Sequence, residues 1–157
     1  MKKIVLIAII ILNTSCVSVK TETYEGEPMI SILELETSKD SNYIKANEWM
    51  VETFGNAESV IQFTDKDAGI VKGKYMMYSG QIGTQYSPAV KSYFVMITLI
   101  VKDQVAKIEV DPINEFTITN YMGNKIGFTP EMFKSLAQEL IKDFTLNMRG
   151  ESKNDNW

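Results

Sequence analysis

No histidine occurs anywhere in the 157 residues, and cysteine occurs once, at Cys16. Serine-histidine triads, cysteine-histidine pairs, zinc clusters and histidine-ligated iron or copper are therefore excluded for the single chain. An intramolecular disulfide is excluded for the same reason. A glycine-rich phosphate loop leading into a helix is missing, as are a nucleophile elbow and, after Cys16, an S-x-x-K spacing. Any catalysis would have to rest on carboxylates, lysines, tyrosines or a hard cation held by carboxylates. No catalytic residue, metal or cofactor is expected on these grounds. What is present is an ordinary globular composition, 45% hydrophobic and 23% charged, at a length that suits one domain burying about two thirds of its surface.

The solitary cysteine has a context. Lys2 and Lys3 precede the unbroken apolar run Ile4 to Leu12, and the small polar residues Asn13, Thr14 and Ser15 lead into Cys16. That order is the one of an export signal. Nine apolar residues fall far short of the roughly 20 that a membrane-spanning helix needs. The arrangement resembles a bacterial lipoprotein signal, in which residues 1–15 are removed and Cys16 receives palmitate-type acyl chains as the first mature residue. The competing readings are an ordinary secretory signal cleaved nearby and an uncleaved segment. Two or more acyl chains give stable anchoring, at about 0.8 kcal/mol per buried methylene, so the folded part needs no membrane-binding face. Loss of residues 1–15 leaves 14 basic against 20 acidic side chains, a net charge of −6. Such a surface is a poor partner for nucleic acid. The expected location is the cell envelope. Val17 after the cysteine suits an outer membrane, with the periplasm or the exterior as the side faced.

Four regions follow: the signal at 1–15, the acylated cysteine with a flexible tether at 16–27, one domain at 28–149 and a polar tail at 150–157. The tether carries three glutamates and no apolar period, and twelve residues reach at most about 40 Å. In the domain, Met29 to Glu36 reads as a strand. Thr37 or Ser38 caps a helix whose Tyr43, Ala46, Asn47, Met50 and Phe54 recur at helical spacing up to Gly55. Ser59 to Thr64 and Ile70 to Tyr78 read as a hairpin about Asp65-Lys66-Asp67-Ala68-Gly69, and Ser79 to Pro88 as a loop. Val90 to Val101 is the clearest strand. Lys102-Asp103-Gln104 turns it into Val105 to Ile113, with Phe116 to Ile118 a candidate extension past Pro112. Thr129, Pro130 and Glu131 open a second helix with the stripe Phe133, Leu136, Ala137, Leu140, Ile141 and Phe144. The order β-α-β-β-β-β-α predicts a two-layer α+β sandwich, an antiparallel sheet with both helices on one face.

Ser38-Lys39-Asp40, Ala46-Asn47-Glu48-Trp49-Met50, Phe54, Ser59-Val60-Ile61-Gln62, Asp65, Ala68-Gly69 and Lys72-Gly73-Lys74 together resemble the bacterial family called domain of unknown function 4468. The resemblance covers about residues 28–118. It implies a TBP-like fold and agrees with a lipoprotein, and it implies no activity, substrate or catalytic residue. The DNA-bending saddle that the fold name suggests is opposed by the charge.

The candidate binding face is the side of the sheet that the helices leave open. Along the strand from Val90, Tyr93, Val95, Ile97, Leu99 and Val101 point to one side and look like core. Phe94, Met96 and Ile100 point to the other, with Met76 and Tyr78 of the neighbouring strand expected beside them, near Lys72 and Lys74. Exposed aromatic and methionine side chains mark interaction sites. The competing reading has the loop 79–89, the tether or the 119–128 segment covering this face, or the register displaced by one. Asp65 and Asp67 open like a calcium loop but lack its glycine and glutamate, so a plain turn is expected. Glu109 and Asp111 share a strand face as an acid-base pair would, or as an exposed charged face. Trp49 is either a sugar platform or core.

The function expected is a non-catalytic, lipid-anchored envelope protein that binds another protein through the open face or a strand edge. The alternatives are a small-ligand or glycan-binding module, favoured if Phe94, Met96 and Tyr78 line a concavity, and a carboxylate-based hydrolase.

Overall fold

The strict alternation of Tyr93–Lys102 makes it the centre of the molecule, because Tyr93, Val95, Ile97, Leu99 and Val101 are all buried while the residues between them are not. The computed structural model describes residues 19–55 and 60–151. The signal, Cys16, residues 56–58, the expected strand start at Ser59 and the tail from 152 lie outside the described residues. The described elements are β1 (Lys20–Tyr24), β2 (Met29–Glu34), α1 (Lys39–Phe54), β3 (Ile61–Asp65), β4 (Ile70–Tyr78), β5 (Tyr93–Lys102), β6 (Val105–Pro112), β7 (Phe116–Tyr121), β8 (Asn124–Ile126) and α2 (Pro130–Arg149).

Five strands form the main antiparallel sheet in the order β2-β6-β5-β4-β3. Both helices cover one face of it, giving the two-layer α+β sandwich. Their ends are fixed by residues that the sequence marks. Ser38 is the N-cap of α1, its side chain accepting from Ser41 N, and Gly55 closes the helix in the left-handed region at φ 64°. Thr129 accepts from Met132 N at the start of α2, with Pro130 in the first turn and Arg149 in the last. Ala46, Trp49 and Met50 of α1 and Phe133, Ala137, Phe144 and Met148 of α2 meet Leu33, Val71, Ile108 and Val110 across the layer boundary. Each large apolar side chain so buried contributes about 1.5 to 3 kcal/mol.

The turn at 65–69 is held by its own residues. Asp65 Oδ1 accepts from Ala68 N at 2.9 Å, the Asx-turn role rather than a cation ligand. Gly69 adopts φ +69°, and a Cβ there would lie 2.2 Å from Val101 O. Only glycine allows β4 and β5 to approach so closely.

Two segments differ from the sequence expectation. Lys20–Tyr24, within the stretch read as tether, is a strand that pairs antiparallel with β7, Lys20 opposite Asn120 and Tyr24 opposite Phe116. Phe116–Tyr121 does not extend β6; it is the central strand of a second sheet ordered β1-β7-β8. The β7-β8 hairpin turns through Met122 and Gly123, both with positive φ, the backbone of a tight primed turn. This small sheet rests on the helix-side core through Phe116, Phe128, Tyr93 and Phe133, with the Phe116 and Phe133 rings 5.5 Å apart.

Tyr93 joins the two sheets by its hydroxyl as well. Its Oη accepts from Thr117 N at 2.8 Å and donates to Thr117 O at 3.3 Å. Tyr93→Phe removes both bonds and costs about 1 to 3 kcal/mol. Hydrogen exchange is expected to speed up for amides of β7 and leave those of β5 and β6 unchanged. Equal acceleration in all three strands would show that the hydroxyl does not act as a local clamp.

Candidate functional site

Pairing register decides which residues share the side of the main sheet away from the helices. Met76 lies opposite Phe94, Lys74 opposite Met96, Lys72 opposite Thr98 and Ile70 opposite Ile100. On the other flank of β5, Met96 faces Asp111, Thr98 faces Glu109 and Ile100 faces Lys107. Phe94, Met96, Ile100 and Met76 therefore sit together on one surface. The small sheet, which includes the 119–126 hairpin and part of the expected tether, packs on the opposite, helix-side core. Among the described residues nothing buries the patch: Met76 remains 46% exposed and Phe94, Met96 and Ile100 are half-buried.

Tyr78 does not join them. The β4 register shifts between Met76 and Tyr78, so that Tyr78 pairs with Tyr93. The bulge adds one residue and turns the next side chain to the other face. The Tyr78 ring stacks on Phe128 at 5.0 Å and belongs to the aromatic cluster under the helices.

The face also extends beyond the residues singled out from the sequence. β2 pairs with β6, which places Ile30 opposite Glu109 and Ile32 opposite Lys107, and these two isoleucines are 52% and 67% exposed. At the opposite edge, Phe63 pairs with Lys72 and is 48% exposed. Apolar side chains thus occupy both edges and the central strand, and charges of both signs lie between. Lys74 Nζ sits 4.7 Å above the centre of the Phe94 ring, a cation-π contact. Lys107 and Glu109 form an ion pair at 2.7 Å. That pairing gives Glu109 a neighbour other than Asp111, and both acids lie on an open strand face instead of in a cleft.

Trp49 is 1% exposed. Its ring packs edge-on against Phe54 and Phe144, and Nε1 donates to Asp143 Oδ2 at 2.9 Å. A stacking platform for a sugar needs an open ring face, so Trp49 is core. Among the described residues no three acidic side chains converge as a metal site requires, and no described helix is long and apolar enough to cross a membrane. Away from the open face, the exposed Glu22 carboxyl lies below the usual carboxylate range because it accepts hydrogen bonds from the Lys20 ammonium and the Tyr24 hydroxyl.

A groove of about 340 Å³ opens elsewhere, between the end of α1, the helix side of β4 and α2. Tyr75, Met77, Leu136 and Leu140 line it, with Glu139 and Asp143 also at its wall. Phe94, Met96 and Tyr78 have no part in it. The sequence offers no sign of this groove, because its lining comes from three elements that meet only in the folded chain.

No family model matches the chain, and no curated protein matches it. Among solved structures it is similar to a DUF4468 family protein from Bacteroides ovatus, with 16% identity, 85% of each chain covered and a TM-score of 0.45. It is also similar to a TBP-like protein from Parabacteroides distasonis, with 14% identity over 80% of this chain and 94% of that one and a TM-score of 0.51. At such identity the second likeness bears on architecture alone: two helices on one face of an antiparallel sheet, in a TBP-like fold.

Proposed function

We propose that this protein is a lipid-anchored component of the cell envelope whose TBP-like domain is a non-catalytic protein-interaction module, docking its partner on the open face of the main sheet. One observation carries the reading. Ile30, Ile32, Phe63 and Met76 are each between 46% and 67% exposed on a single sheet face, around Phe94, Met96 and Ile100. Large apolar side chains exposed together on one face, with charged residues between them, are kept by folded domains chiefly where something binds. The anchor is supported by the order Lys2-Lys3, Ile4 to Leu12, Cys16, and the outer membrane by Val17. Nucleic acid is disfavoured by Glu109 and Asp111 standing on the same face as the lysines.

Phe94→Glu tests the reading. It sets a carboxylate among the apolar side chains of the patch and beneath Lys74, on a surface already reached by water, so stability is expected to change by less than about 1 kcal/mol. Tagged full-length protein, co-expressed with an untagged copy of the same chain and enriched from its native membrane, should hold a partner near stoichiometry, that copy included, and the variant should lose it. A partner retained equally by both, or by neither, overturns the reading. The groove beside Tyr75 and Met77 supports the second reading, a small-ligand module, with Asp143 already engaged by Trp49.

A further inference from the structure

We infer that the partner matched to this face is a second copy of the same chain, docked face to face about a two-fold axis running along β5. The inference rests on the proposed interaction role and names its occupant. It follows from how residues are distributed about the central strand. On the β4 side of β5 the face carries Lys72 and Lys74; on the β6 side, in the same rows, it carries Glu109 and Asp111. Rotation by 180° about β5 exchanges those flanks. Lys72 then falls opposite Glu109 of the second copy and Lys74 opposite its Asp111, so each cation meets an acid on both sides of the axis.

Of the two outer rows, the one through Thr98 obeys the same relation, while in the row through Ile100 the exposed Ile32 falls opposite Asp65. Phe63 is in register with Lys72, and Ile30 with Glu109, so the rotation brings an exposed phenylalanine over an exposed isoleucine at each edge. Along the axis Phe94, Met96, Thr98 and Ile100 meet their own copies and make an apolar seam. Lys107 falls opposite Ile70, where its charge is already met by Glu109 of its own chain at 2.7 Å. Sheets that pack face to face stay within about 30° of alignment and about 10 Å apart, so these pairings hold best near the axis.

The size is sufficient for a weak, specific association. β5 has 10 residues, about 33 Å at the usual rise, and five strands span about 20 Å. That is roughly 600 Å² from each copy, the low end for specific interfaces. Electrostatic matching then decides which surfaces pair.

The test places a thiol on the axis. Full-length Thr98→Cys protein in its native membrane is treated with a bismaleimide spanning about 10 Å, and the unsubstituted chain with Cys16 alone gives the baseline. The expected product is a covalent species of twice the chain mass. Adding Lys72→Glu and Lys74→Glu is expected to lower its yield about tenfold, and adding Glu109→Lys and Asp111→Lys to do the same. Co-expression of the two reversed chains under different tags should restore the adduct, now between unlike copies, which also shows that both variants fold. An adduct that survives either reversal alone overturns the proposed axis. An adduct with a protein of another mass overturns the second copy while leaving the interaction role standing. Labelling of the new thiol with no adduct of any kind overturns the second copy, and the enrichment with Phe94→Glu then decides the interaction role on its own.

Discussion

Asn42→Asp is expected to lower the unfolding free energy by about 3 to 5 kcal/mol at neutral pH, although it exchanges one amide nitrogen for an oxygen. Asn42 is completely buried on the core side of α1. Its Nδ2 donates to Lys102 O at 2.9 Å and to Thr37 O at 3.2 Å, and its Oδ1 accepts from Thr37 Oγ1. One side chain thereby ties the start of α1 to the β5-β6 turn, where Gln104 N also donates to Thr37 O and Leu35 N to Gln104 O. An aspartate would turn a carboxylate oxygen toward two carbonyls that require a donor. Its neutral form keeps one donor, so the folded-state pKa rises above the unfolded value near 4. The part of the penalty due to ionisation is absent below that unfolded value and grows as pH rises through it, reaching its full size above the folded pKa. Urea unfolding from pH 3 to 7 should show the variant approaching the wild type as pH falls, whereas Asn42→Ala stays weakened at every pH. A loss below about 1 kcal/mol at pH 7 would show that the amide does not hold this corner.

Trp49→Ala is expected to cost about 3 to 5 kcal/mol, a large part of the 5 to 15 kcal/mol that stabilises a typical domain. The indole lies between Phe54 and Phe144, with ring centres 5.6 and 5.1 Å away. Its removal leaves a cavity where α1 meets α2, and a close-packed core collapses into such a space only in part. Trp49→Phe keeps most of the ring contact and loses the bond to Asp143, so a drop of about 1 to 2 kcal/mol is expected. Thermal melting should place the alanine variant about 10 °C or more below the wild type and the phenylalanine variant between them. A shift under 3 °C for alanine would return Trp49 to the role of an exposed ligand platform.

The parts of the fold legible in the sequence are those with a local cause. Ser38, Gly55, Thr129 and Pro130 act within one turn of a helix end, and β5 advertises itself because every second side chain is buried. Phe94, Met96, Ile100 and Met76 follow from the same alternation. What escaped has non-local or one-residue causes. Lys20–Tyr24 has neither face buried and is held by its ladder to β7, so no hydrophobic period marks it. Tyr78 changes sides through a bulge that leaves composition untouched. Ile30 and Ile32 join the open face only because β2 pairs with β6, a partner far along the chain. Asn42 reads as a polar break in a helix until its position one turn before Ala46 is noticed.

The pairing of β1 with β7 also alters the mechanics of attachment. Once Lys20 is fixed in the small sheet, the greatest covalent reach from Cys16 to the fold is four residue steps instead of twelve, about 14 Å instead of about 40 Å. If Cys16 carries acyl chains, the domain cannot swing far from the bilayer or sample every orientation. So anchored, it would ride close to the lipid and diffuse in two dimensions, where low-affinity encounters between neighbouring molecules repeat far more often than in free solution.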